Sequence, residues 1–346
     1  MFNFLNIFKK NKEIEFGAVP EEFDVNDFRY EEICSASPPV DWERGFSVED
    51  RIGKIPVKNQ KKSGSCVGQS WSYYAGVLEA IEIGIYRDFS ARFIYSQIYL
   101  PSRGAYIKDG AKILTKQGAI PSALFPDKDN EIQMRMNDDL TKDLKSIALV
   151  YKKGNYLSVP HNDIDYIASV IQENNGCVTG VFLSRDGWRN AWVRPPLKGE
   201  KKGGHAVYLI GFKKIKGRKY IIGLNSWSEN WGDRGKFYLG EDYVNSGNLF
   251  NLKILKDLPS EVKRPKKKPQ YRFNVNIKWG DKGEEVKKLQ ECLAYEKCFL
   301  YPEFTGNFYG FTLRAVKCFQ AKYGIEPIAG FVGPKTRAKL NEIYGK

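Results

Sequence analysis

The chain has 346 residues, enough for about two domains at roughly 150 residues each. Of its net charge of +14, +10 falls in residues 253–346, where 20 basic residues stand against 10 acidic ones, while a hydrophobic content of 42% and an aromatic content of 14% exclude a disordered or collagen-like chain. No apolar run approaches the roughly 18 residues of a membrane span, and six scattered cysteines with two histidines exclude a disulfide scaffold and argue against a zinc site. The expected protein is soluble and globular, with no cofactor, no metal and no stable membrane insertion.

The N-terminus MFNFLNIFKKNK places its apolar residues before its lysines, the reverse of a secretory signal, so no standard export signal is expected. Residues 1–37 read as an extension, and FGAVPEEFDVNDFRYEEIC within it is a candidate strap across the body, with control of activity as its hypothetical role. Residues 38–252 mix helical and strand patterns and are long enough to bury their own core. Within them, SCVGQSWSYYAGVLEAIEIGI (65–85) predicts a helix with Ser65 as N-cap and an apolar face of Val67, Trp71, Ala75 and Leu78. CVTGVFLS (177–184), HAVYLIGF (205–212), KYIIGLNSW (219–227) and KFYLG (236–240) predict strands of an antiparallel sheet. A helical half joined to a β half makes an α+β domain with a cleft between the halves.

Residues 253–272, with eight basic residues, three prolines and the run Lys266-Lys267-Lys268, read as an extended, solvated linker. From 273 to 346 a compact pattern returns, with Val286, Leu289 and Leu293, then Leu313, Val316 and Phe319, at helical spacing. Three short helices joined by Gly-rich turns are predicted. A small disulfide between Cys292 and Cys298 is one option, with Cys318 on the helix face beside Val316 and Phe319; core packing is expected of all three rather than chemistry.

Cys66 at a helix start is a candidate nucleophile, since the helix dipole and free N–H groups favour a thiolate there. An isolated cysteine is more often a structural one, and what changes the odds is its company. Gln60 lies six residues upstream, His205 opens a strand after Gly203-Gly204, and Asn225 stands in NSWSENWGDRGKFYL. His161 reads more simply as a surface or cap-adjacent histidine before a helix starting near Asn162.

PPVDWERG (38–45), PVKNQ with Cys66 six residues on, GGHAVYLIGF and NSWSENWGDRGKFYL resemble, in family order, the motifs of the papain-like cysteine peptidases. The resemblance spans about 38–240. It implies a two-lobed catalytic domain, with Cys66 as nucleophile, His205 as base and later acid in a thiolate–imidazolium pair, and Asn225 orienting the ring. It further implies that Gln60 and the Cys66 backbone N–H serve the oxyanion, that Trp227 shields the His205–Asn225 contact, and that Gly104 and Gly204 lie beside a bound peptide. The sequence departs from the family at Ser63, where a cysteine is common, and at Val67, where an aromatic is.

Residues 276–343 resemble the peptidoglycan-binding domain of cell-wall hydrolases through Gly280-Asp281-Lys282-Gly283, Leu289-Gln290, Thr305-Gly306-Asn307-Phe308, Thr312, Phe319-Gln320, Gly330, Val332-Gly333 and Thr336. Most of these are core and turn positions and argue for the fold more than for ligand contacts. Together the two resemblances imply a monomeric thiol endopeptidase tethered to bacterial peptidoglycan or acting on a wall-associated protein. Such a chain would work at the wall as a lysin or a virion component. A non-catalytic wall adaptor and a transpeptidase using the same cysteine are the alternatives. The basic tail could suggest nucleic acid, but no alternation of stacking aromatics and basic residues supports that partner.

Overall fold

The computed structural model describes residues 17–22, 24, 27–32, 39–102, 104–200, 202–257, 265–299, 301 and 303–345. The lysine-bordered N-terminus and Cys34 lie outside these residues. Among them no helix is long and apolar enough to cross a membrane.

The first half is mainly helical. After the short strands β1 (Ala18–Val19) and β2 (Phe46–Ser47) come α1 (Glu49–Ile52), α2 (Cys66–Ile83) and α3 (Ala91–Tyr95). β3 (Ala105–Tyr106), α4 (Ile107–Lys116), α5 (Glu131–Arg135) and α6 (Lys142–Val150) complete this half. The helix α2 is buried along most of its length, which is why its sequence shows apolar and small residues on every side rather than one stripe. It stops at Gly84, whose left-handed φ of 77° returns the chain amide to the Ala80 carbonyl. Ser65 precedes it as expected but makes no side-chain cap; its hydroxyl is engaged by Ser63 instead.

The second half is a sheet. β4 (Asn155–Ser158) and α7 (Ile164–Asn174) lead into β5 (Cys177–Ser184), β6 (Trp192–Val193), β7 (Lys202–Ile215), β8 (Arg218–Leu224), β9 (Lys236–Gly240), α8 (Glu241–Asn245) and β10 (Leu249–Lys256). The strand order is β4-β10-β5-β7-β8-β9-β6, with β2 against β7. All its pairs are antiparallel except β6 with β9, which run parallel, so the predicted antiparallel sheet gains one exception at its edge. β8 ends at Leu224, so Asn225-Ser226-Trp227 leaves the sheet as a loop rather than continuing the strand. One hydrophobic core spans the helical and β halves.

Two expectations are corrected here. Lys253–Lys256 do not begin a solvated linker; they finish β10 between β4 and its neighbours. Lys253 is only 2% exposed, and the fold tolerates this cation because its Nζ lies 2.9 Å from the Ser158 hydroxyl and 3.3 Å from the Asp27 carboxylate. The second correction concerns the cysteines of the C-terminal region. There Cys298 bonds Cys318, while Cys292 is free and buried. Cys318 lies two residues beyond Val316 on one helix, about 200° around its axis, so it faces away from the core side shared by Val316 and Phe319.

The C-terminal helices α9 (Glu284–Tyr295), α10 (Gly310–Lys322) and α11 (Pro334–Tyr344) pack around a second core that includes Leu289, Leu293, Val316, Phe319 and Leu340. Two buried glutamines repeat one device. Gln290 donates from Nε2 to the Asn307 carbonyl and Thr312 hydroxyl and accepts from the Gly306 N–H. Gln320 does the same with the Phe331 carbonyl, the Thr336 hydroxyl and the Gly330 N–H. Each amide ties its helix to the next turn and to the start of the following helix.

Candidate active site

The start of α2 and the middle of the sheet meet at Cys66. Its Sγ accepts a hydrogen bond from the Ala206 N–H at 3.3 Å, which sets the sulfur beside the residue that follows His205 on β7. The side chain of Val67 is buried next to it. Burial pushes the Cys66 thiol up to about 12, overriding the helix-start effect that the sequence suggests.

His205 is fully buried, and its Nε2 lies 2.9 Å from the Asn225 Oδ1. Asn225 is in turn held by its own backbone: its N–H donates to the Gly235 carbonyl at 2.9 Å, and its carbonyl accepts from the Tyr73 hydroxyl at 3.1 Å. Trp227 stacks on the imidazole with centroids 4.9 Å apart, and Trp188 meets the ring edge-on at 6.1 Å. Burial among these apolar rings lowers the His205 pKa to about 4, against the opposing hydrogen bond that its Nε2–H donates to Asn225. The His205 Nδ1 and the Asn225 Nδ2 are buried and have no hydrogen-bond partner in this arrangement. In this closed state burial works against charge on both members of the expected thiolate–imidazolium pair.

Gln60 is fixed from both ends of its amide. Nε2 donates to the Ser63 carbonyl at 2.8 Å, and Oε1 accepts from the Ser226 hydroxyl at 2.6 Å. The Gln60 backbone N–H also donates to the Ser226 carbonyl, so this loop is laced to the residue after Asn225. Ser63, at the position where a cysteine is common, bonds the Gln60 carbonyl through its hydroxyl at 2.7 Å. A local hydrogen bond thus holds the turn at that position.

A strand from the chain's own beginning lies across the cleft. The Gly17 N–H donates to the Gly204 carbonyl at 3.1 Å, and the Ala105 N–H donates to the Gly17 carbonyl at 2.8 Å, with β1 running parallel to β3. The approach is as close as backbones allow. A Cβ on Gly17 would stand 2.1 Å from the Gly64 carbonyl oxygen and 3.0 Å from the Cys66 Sγ. One on Gly204 would meet the Ala18 carbonyl oxygen at 2.1 Å, and one on Gly104, whose φ is +85°, would meet the Gly17 carbonyl oxygen at 2.5 Å. Gly104 and Gly204, assigned to a bound peptide from the sequence, here flank the strap instead. No second peptide can reach Cys66 until it leaves.

Beyond Val19 several of the described strap residues are anchored to the body. Asn251 brackets Glu21, accepting from its N–H and donating to its carbonyl. Lys108 pairs with Asp24 and Asp27, and Ser158 donates its N–H to the Phe28 carbonyl. His161 lies under this segment in a pocket that also includes Asp27, Arg29 and Lys253, not beside Cys66. Its helix starts at Ile164 and is capped by Asp163. Trp188, with its indole N–H on the Tyr243 hydroxyl, is the site residue that sequence reasoning missed; it sits in no motif, and only the fold brings it to His205.

Residues 102–252 match the papain family cysteine protease, and residues 282–340 match a peptidoglycan binding domain. The first match holds His205 and Asn225 and begins after Cys66 and Gln60. Chymopapain of Carica papaya is 25% identical over 65% of this chain and 61% of its own length. Cathepsin B-like cysteine proteinase 3 of Ostertagia ostertagi is 35% identical over 22% of this chain and 44% of its own length. The chain thus spans less than two thirds of either relative. In fold it is similar to the crystal structure of xylellain, a cysteine protease from Xylella fastidiosa, with a TM-score of 0.60 and 23% identity, covering 73% of this chain and 100% of that one. Over its first part the chain is thus similar to papain-family cysteine proteases, and beyond it to a peptidoglycan-binding domain.

Proposed function

We propose that this chain is a cysteine endopeptidase, latent as described here, whose C-terminal domain carries it to bacterial peptidoglycan. One observation carries the reading: a buried imidazole, held at Nε2 by Asn225, keeps its Nδ1 unpartnered beside the strand position that contacts the Cys66 sulfur. The large majority of buried polar side-chain atoms have a partner.

With the cleft open, water restores the charged forms, and Cys66 transfers its proton to His205. The thiolate attacks the scissile carbonyl carbon, and the oxyanion is met by the Cys66 N–H and by the Gln60 amide proton not given to Ser63. The imidazolium gives its proton to the leaving nitrogen, the C–N bond breaks, and a thioester remains. His205 then takes a proton from water, the hydroxide attacks the thioester carbon, the C–S bond breaks, and the imidazolium returns its proton to the sulfur. Asn225 and the Trp227 and Trp188 rings hold the imidazole in line through both transfers. The tether raises the local concentration of wall peptide at the cleft, as expected of a lysin.

The test is incubation of wild type, Cys66→Ala and the cleft-opening Gly17→Val with reducing agent, on purified peptidoglycan and on an unstructured protein, with products read by mass spectrometry. New amino termini in the wall, present with Gly17→Val and absent with Cys66→Ala, are the expected result. Cleavage of the unstructured protein alone moves the substrate to wall-associated proteins. Cleavage of neither, with wall binding intact, replaces the peptidase by an adaptor.

A further inference from the structure

The strap that closes the cleft does not end on the peptidase domain. Phe28 packs against both hydrophobic cores, and its ring stacks on Phe311 of the C-terminal domain at 4.0 Å. The Arg314 guanidinium covers the same ring at 3.8 Å, and the Arg29 guanidinium lies 5.3 Å from the centre of Tyr309. Asn307 donates from Nδ2 to the Glu31 carbonyl at 2.8 Å. At Gly310, where α10 begins, a Cβ would stand 2.7 Å from the Asp27 carbonyl oxygen, so the two backbones touch there as they do at Gly17.

The two ends of the strap are held differently. Gly17–Val19 bind through backbone hydrogen bonds that any extended peptide could supply. Residues 27–31 bind through particular side chains of both domains: Lys108 pairs with Asp27 on one side, while the Phe311 ring, the Arg314 cation and the Asn307 amide hold Phe28 and the Glu31 carbonyl on the other. A weak, generic plug becomes a firm one when a specific clamp keeps it at high local concentration. The clamp residues are contributed by the domain read above as the wall-binding part. Its aromatic, amide and guanidinium groups are also of the kind that grip a sugar–peptide polymer.

We propose that the C-terminal domain is the latch of the latent peptidase: Asn307, Phe311 and Arg314 hold residues 27–31 and so keep Gly17–Val19 over Cys66, and wall polymer taking this face releases the strap. The release half rests on the peptidoglycan reading; the latch half does not. Substrate and activator would then be one material, and the enzyme would stay shut away from the wall.

The experiment measures iodoacetamide alkylation of Cys66, resolved by peptide mass spectrometry, in the full chain. Wild type, Phe28→Ala and Arg314→Ala are compared with and without muramidase-solubilised peptidoglycan, and sedimentation with intact wall reports binding. Each variant should alkylate about tenfold faster than wild type, the factor that about 1.4 kcal/mol of lost clamp contact yields. The fragments should accelerate wild type to a similar rate and leave the variants unchanged. Arg314→Ala removes a partly exposed side chain, so it tests the latch even if Phe28→Ala fails to fold. Wild-type rates in Arg314→Ala overturn the latch. Wall binding without acceleration overturns release by polymer, and no binding to wall overturns the peptidoglycan reading while the variants still decide the latch.

Discussion

Two buried side-chain amide clusters, one in each domain, show how structure and chemistry differ at the level of single atoms. In the C-terminal domain, Gln290 and Gln320 each satisfy their donors and acceptor inside one turn-and-helix unit. In the peptidase domain, Asn225 and His205 bond each other and leave one nitrogen apiece without a partner. Satisfied buried amides stiffen a small core; an unsatisfied one persists only where something else retains it. On the proposed reading, the contrast separates a side chain that holds the fold from one that serves the reaction.

The sharpest way to break this contrast is Cys66→Ala in the Gly17→Val background. Peptide cleavage should fall by about 10⁴-fold or more, since no other group replaces the nucleophile, while the thermal transition stays close to that of the parent. Next comes Asn225→Ala in the same background. A loss of about 10²-fold in kcat, with little change in KM, is expected if the amide only orients the imidazole. An equal loss of stability with unchanged kcat would make Asn225 another Gln290.

The converse test is Gln290→Leu. It strands the Gly306 N–H and removes one of the two donors to the Asn307 carbonyl, and denaturant unfolding of the C-terminal domain should lose about 2 kcal/mol, with cleavage of a soluble peptide unaffected in the opened background. The smallest effect concerns pH. With the strap in place His205 titrates near 4, against an ordinary value of 6.5, because burial resists its charge. In a Cys66→Ala chain, where no thiolate accompanies the imidazolium, an opened cleft accepts a proton below pH 6.5 that the closed one refuses, so opening gains between about pH 6.5 and 4 and levels off below. Exchange of the Ala105 amide, which donates to Gly17, should speed up on the order of tenfold from pH 7 to pH 5 after correction for intrinsic rates. The His205 ring faces Asn225, Trp188 and Trp227, so neutral groups surround it. In the strap groove His161 is also lowered by burial and adds to the effect, while Glu21 is raised by burial and opposes it; a Glu21→Gln variant should therefore show the larger acceleration.

Much of this molecule was legible in one dimension. Strands at 177–184 and 236–240, the helix starting at Cys66 and the three C-terminal helices follow from local periodicity and turn residues, which act over a few neighbours. The order of Gln60, Cys66, His205 and Asn225 was visible because motif residues keep their spacing whatever surrounds them. The Cys298–Cys318 bond was not, because only the rotation of α10 decides which face Cys318 presents. Nor was the strand role of Lys253, whose charge reads as solvated until Asp27 and Ser158 are brought to it.

Taken alone, the sequence determined which chemical groups are present, how they are ordered and that two hydrophobic cores can form. Tertiary structure decided what those groups can do at a given moment. Trp188 reaches His205, the strap reaches Cys66 and the C-terminal domain reaches the strap only through contacts between residues far apart in the chain. The charge states of thiol and imidazole follow from those contacts, because desolvation depends on every neighbour in space and on none in particular along the chain.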